Sequence, residues 1–79
     1  MMGRPVKRSL TLNGHRTSVS LETEFWTAFR GMAARRGLSV NALASAVDVA
    51  RPAGTGLATA IRLAVLADLT ARLGEALQE

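Results

Sequence analysis

The chain has no cysteine, no tyrosine, two prolines and a single histidine. Without cysteine there is no disulfide and no thiolate metal site. One histidine, His15, lacks the companions that a metal centre or a nucleophile and base would require. His15 is therefore expected at a strand end, without chemistry of its own. Acids are sparse as well: Glu22, Glu24, Asp48 and Asp68 are scattered, with no spacing that argues for a paired general acid and base, and an enzyme is not expected. Long apolar runs are also missing. The greasiest stretch, residues 57–69, is interrupted by Arg62 and Asp68 and falls short of the roughly 18 to 20 residues that span a bilayer. No apolar run follows the basic N-terminus, as it would in a signal peptide. These absences lead to the expectation of a soluble cytoplasmic protein with no cofactor and no membrane partner.

What the chain does have is 79 residues, 48% of them apolar and mostly aliphatic, with Phe25, Trp26 and Phe29 as the whole aromatic complement. One domain fits that length, and so small a monomer buries a modest share of its surface. With no disulfide or metal to staple it, the remaining route to stability is a core shared with another copy. The net charge of +4 is concentrated at one end: Arg4, Lys7, Arg8 and Arg16 lie in the first 16 residues with no acid among them. Charge localised in this way attracts phosphates or another polyanion.

Residues 1–8 show no periodicity and read as a flexible basic arm. Residues 9–21 alternate, with Leu10, Leu12, Thr17, Val19 and Leu21 on one side and Ser9, Thr11, Arg16, Ser18 and Ser20 on the other. The alternation holds in register if Asn13-Gly14 is a two-residue turn, for which Asn-Gly is a strong signal. In that case Ser9 to Leu12 form an outer strand; otherwise they extend the arm. From Glu22 the period becomes helical. Phe25, Phe29, Met32 and Ala33 share a face of a helix over about residues 22–36, with Glu22 and Glu24 in its first turn, Arg35 and Arg36 in its last, and Gly37 to end it. Leu21 and Trp26 have the spacing of a hydrophobic staple. Ser39 caps a second helix carrying Val40, Leu43, Val47 and Ala50, which Pro52 stops. A third helix over residues 57–73 is apolar on nearly every side, which predicts burial all round and hence a second subunit. Residues 9–73 then form the domain, and residues 74–79 a frayed tail.

The run His15-Arg16-Thr17-Ser18-Val19-Ser20-Leu21-Glu22, followed by Phe25-Trp26 and by Arg36-Gly37-Leu38-Ser39-Val40-Asn41-Ala42-Leu43, resembles the strand, first helix and inter-helix turn of ribbon-helix-helix proteins. Ala50-Arg51-Pro52 with Ala60-Ile61-Arg62-Leu63 is similar to short bacterial members that carry an extra C-terminal helix. The resemblance covers residues 8 to about 69. It implies a mainly α fold with a short N-terminal β-ribbon, in which the strand pairs antiparallel with its copy in an intertwined homodimer and the ribbon lies in the major groove of DNA. On that reading Val19 and Leu21 face inward while Arg16, Ser18 and Ser20 face the bases. Arg16 is the residue able to donate two hydrogen bonds to guanine. The resemblance also implies a phosphate contact at the amides around Ser39, Val40 and Asn41, where a helix N-terminus favours an anion. Arg4, Lys7 and Arg8 would add non-specific phosphate contacts. The expected function is sequence-dependent DNA binding as a homodimeric transcriptional regulator, with a tetramer left open. The alternative is an interaction module of the same fold, an adaptor or an antitoxin-like protein, holding a protein partner through its C-terminal helix.

Overall fold

A computed structural model describes residues 3–78 of the chain. Its first two elements are strands β1 (Val6–Leu12) and β2 (His15–Leu21), which pair antiparallel with Leu12 opposite His15 and Val6 opposite Leu21. The turn between them follows from Asn13 and Gly14, whose φ angles of 52° and 82° are both positive, as a type I′ turn requires. Period-2 geometry then sends Leu10, Leu12, Val19 and Leu21 to one face, where all four are buried.

The period changes at Glu22, which precedes helix α1 (Thr23–Arg35). This helix buries Phe29, Met32 and Ala33 and ends at Gly37, whose φ of 67° suits a residue without a Cβ. There the Leu38 N–H donates to the Ala33 carbonyl and the Gly37 N–H to Ala34, satisfying carbonyls that the helix end leaves free. Ser39 caps helix α2 (Val40–Ala50), its hydroxyl accepting from the Ala42 N–H at 3.0 Å. Helix α3 (Leu57–Gln78) closes the core with Ala60, Ile61 and Val65, packing on both α1 and α2. The core lies between the inner face of the hairpin and the three helices.

Two expectations, on the first strand and on the end of α3, need correction. The strand begins at Val6, so residues 6–8 belong to the hairpin and the arm is shorter than eight residues; Met1 and Met2 lie outside the described residues. Of the two alternatives for Ser9 to Leu12 the outer strand is the one that forms, the Asn-Gly turn bringing β1 back alongside one edge of β2. Helix α3 runs on through Gln78 where a frayed tail from residue 74 was expected, because nothing in residues 74–78 caps or breaks it; Glu79 lies outside the described residues. Within one chain α3 is covered on one face alone, and Leu63, Leu66, Leu69, Leu73 and Leu77 are exposed, so their burial would take the second subunit that the sequence leads one to expect.

Candidate nucleic-acid interface

The same alternation that buries four apolar side chains turns Lys7, Ser9 and Thr11 of β1 and Arg16, Ser18 and Ser20 of β2 to the outer face, where all six are exposed. The register places them in three cross-strand pairs: Lys7 with Ser20, Ser9 with Ser18, and Thr11 with Arg16. One cation stands at each end, hydroxyls fill the middle, and no acid is on the face. Arg16, Ser18 and Ser20, anticipated as a set, are thus brought together, and the hairpin adds Lys7, Ser9 and Thr11. Ser9 and Thr11 stand on the polar side of the alternation in the sequence; Lys7, expected as a phosphate contact from a flexible arm, is instead fixed on this face by β1.

Arg8 is placed otherwise. It points to the inner side of β1, where its guanidinium lies 5.5 Å from the centre of the Trp26 ring and its Nε is buried without a hydrogen-bond partner. Stacking on an indole face stabilises a cation with few hydrogen bonds. Arg8 is therefore on the opposite side of the sheet from Lys7 and Arg16, against its expected role as a phosphate contact. Arg4 precedes β1 and is exposed.

The two edges of the hairpin differ. Leu12 and His15 flank the turn as a hydrogen-bonded pair, so the alternate residues direct their N–H and C=O groups away from the partner strand. On the β1 edge the Thr11 N–H donates to Asn41 Oδ1 at 3.0 Å, which holds the N-terminus of α2 beside the sheet. On the β2 edge the Arg62 Nη2 reaches the Ser20 carbonyl at 3.4 Å. Among the described residues, the remaining edge groups of Arg16 and Ser18 and the Ser20 N–H have no partner. β2 therefore presents an open edge.

At the start of α2 the Ser39 hydroxyl is committed to its capping bond, and the Asn41 side chain to β1. The backbone N–H groups of Ser39, Val40 and Asn41 are the donors left over there among the described residues. They lie at the positive end of the helix dipole, immediately outside the Thr11 and Arg16 end of the sheet face.

Arg62 fixes the other end. It donates from Nε to Glu22 Oε1 at 2.9 Å and from Nη2 to Oε2 at 3.1 Å, and it lies over the Phe25 ring. Hydrogen bonding from Arg62, helped by Glu22's own backbone N–H, holds the Glu22 carboxyl below the ordinary glutamate range against the opposing pull of partial burial. A lowered folded-state pKa stabilises the fold above the unfolded value, about 4.3, and that contribution is lost as pH falls through the folded value. The urea midpoint of the wild type is accordingly expected to fall between about pH 6 and pH 3, and Glu22→Gln to show a smaller fall over the same interval. An equal fall in both proteins would remove Glu22 from the acid response.

Among the described residues no cluster of His, Asp or Glu is placed to hold a metal ion, and no helix is long and apolar enough to cross a membrane. A family model for the ribbon-helix-helix domain matches residues 5–69, well over half the chain. The chain belongs to the ribbon-helix-helix family. No curated protein and no solved structure matches it. Members of this family are generally DNA-binding regulators or antitoxins, typically without enzymatic activity, and generally bind DNA as dimers. In this ribbon-helix-helix chain the match begins before Val6, so it takes in both strands of the hairpin.

Proposed function

We propose that the protein is a sequence-dependent DNA-binding regulator that acts as a homodimer joined along the open edge of β2, with the outer face of the joined sheet against the major groove. The observation that carries this reading is the order of groups across that face. From the open edge outward come Arg16, Ser18 and Ser20 of β2, then Lys7, Ser9 and Thr11 of β1, then the free amides of Val40 and Asn41.

That order matches the cross-section of a groove. Four strands spaced about 4.8 Å apart extend over about 14 Å, more than the roughly 12 Å of the major groove. The two central β2 strands enter it, as a two-stranded ribbon can, and put Arg16, Ser18 and Ser20 at the base edges. The β1 strands ride on the rims, where Lys7 and the α2 N-terminus meet phosphate and Arg4 extends the contact. Arg16 carries the discrimination, since serines bond to any base. Arg8, held on Trp26, takes no part.

Selection of bound fragments from a pool of random duplex DNA tests the reading, and the enriched sites are expected to be pseudo-palindromic, as a two-fold dimer requires. On such a site Arg16→Ala is expected to cost about 1 to 3 kcal/mol and to flatten the preference between sites. An equal loss on every sequence would make Arg16 a phosphate contact, and no enrichment at all would overturn sequence-dependent binding. A second reading, a protein-binding module of the same fold, is favoured by one observation, the exposed leucines of α3.

A further inference from the structure

We infer that the exposed face of α3 is a homotypic seam that packs against the same face of a second copy of this chain. The seam is Leu63, Leu66, Thr70, Leu73 and Leu77, which alternate at spacings of three and four residues, the pattern of the a and d positions of a two-helix coiled coil. Its leucines are 56%, 59%, 61% and 77% exposed in chain order, and Leu69 beside them is 48% exposed. Together they present about as much surface as three fully exposed leucines, in the range of the largest apolar patch on an ordinary monomer, a few hundred Å². The seam runs about 21 Å along the helix at 1.5 Å per residue.

Three features select a second copy as the occupant. The first is the distribution of charge. Asp68 faces α1, where Arg35 lies 2.6 Å and Arg36 3.7 Å away, and Arg72 joins it from the next turn. Glu75 follows at i+7 from Asp68 on that same side. The positions flanking the seam are Ala67, Leu69, Gly74 and Ala76, with Arg62 already held by Glu22. Two copies can therefore meet without like charges opposed, and the small flanking residues permit close approach. A lipid surface would be matched by cations beside the apolar face, and the face has none free.

The second is continuity with the open strand edge. Arg62 bonds to the Ser20 carbonyl on that edge, and Leu66, Leu69 and Leu73 follow Arg62 at i+4, i+7 and i+11 on one helix face. The seam and the β2 edge thus lie on one side of the molecule, where a single two-fold axis can serve both. The third is size: the leucine surface by itself is smaller than the roughly 800 Å² per partner of a stable interface, so the seam extends the β2-edge contact proposed above and in this respect rests on that reading.

The test is sedimentation of the full chain and of Leu66→Glu/Leu73→Glu, with far-UV circular dichroism as the check on folding. The substituted side chains are exposed, so helix content is expected to be unchanged while the dimer dissociates to monomer. Because the chain has no cysteine, Thr70→Cys at the middle of the seam adds a direct probe. It is expected to form an interchain disulfide on mild oxidation, while Arg30→Cys on α1 is not. A wild type that stays monomeric, with or without binding vesicles of anionic lipid, overturns the inference, as does a double variant that stays dimeric or a Thr70→Cys protein that fails to cross-link. These readouts involve no DNA, so failure of DNA binding leaves the seam standing and loss of the seam is recognised separately.

Discussion

Raising the salt concentration from about 50 to 200 mM is expected to weaken binding to duplex DNA by about a thousandfold. The estimate comes from the cations available to the interface. Arg4, Lys7 and Arg16 have no ion-pair partner among the described residues, whereas Arg35, Arg36, Arg51, Arg62 and Arg72 are each held by an acid of the same chain. Three unpaired cations on the interface of each copy make six in a dimer, Arg8 being held on Trp26 and Arg30 lying on α1. Each displaced phosphate counterion adds about 0.9 to the slope of log affinity against log salt, so the slope is expected to be near −5. Lys7→Ala, which removes two of the six, is expected to lower the slope by nearly 2 and to weaken binding about equally on all sequences. Arg8→Ala should leave the slope unchanged, because its guanidinium lies on Trp26 behind the sheet. A salt titration by fluorescence anisotropy measures all three, and a slope near zero in the wild type would contradict binding through this face.

Phe29→Ala is expected to cost about 3 to 5 kcal/mol of folding stability, the usual penalty for truncating a buried phenylalanine. Phe29 is fully buried and is the largest side chain in the core, sharing one helical face with Met32 and Ala33 and closed over by the hairpin and α3. A domain of this length has a total stability of roughly 4 to 12 kcal/mol, so the loss would consume much of it. The variant should show a large drop in urea midpoint by circular dichroism at 222 nm, with Phe29→Leu losing far less. A midpoint within experimental error of the wild type would mean that the core is not built around α1.

Much of this architecture is legible in the chain because its determinants are local. Asn13-Gly14 sets both the turn and the register, the shift from period 2 to period 3.6 at Glu22 marks the start of α1, and Gly37 with Ser39 marks the break before α2. Arg16, Ser18 and Ser20 share a face for the same reason. What escapes a reading of the sequence depends on contacts between distant residues. Arg8 looks like part of a basic arm until Trp26, on another element, is seen to shelter its charge, and that charge disguises the inward alternation of Val6, Arg8, Leu10 and Leu12. The bond from Thr11 to Asn41 and the pair of Glu22 with Arg62 join residues 30 and 40 positions apart. The apolar surface of α3 is plain in the sequence, but which side of it meets the core is decided by packing, with Ile61 and Val65 inward and the leucines outward.

In the proposed complex the outer hairpin face and the α2 N-terminus together meet duplex DNA. The measurement that tests it most directly is amide chemical-shift mapping during titration with a selected duplex at low salt. The largest changes are expected on Lys7, Ser9, Thr11, Arg16, Ser18, Ser20, Val40 and Asn41. Changes centred on Leu66, Leu69 and Leu73, or no changes on the hairpin at saturating DNA, would contradict it.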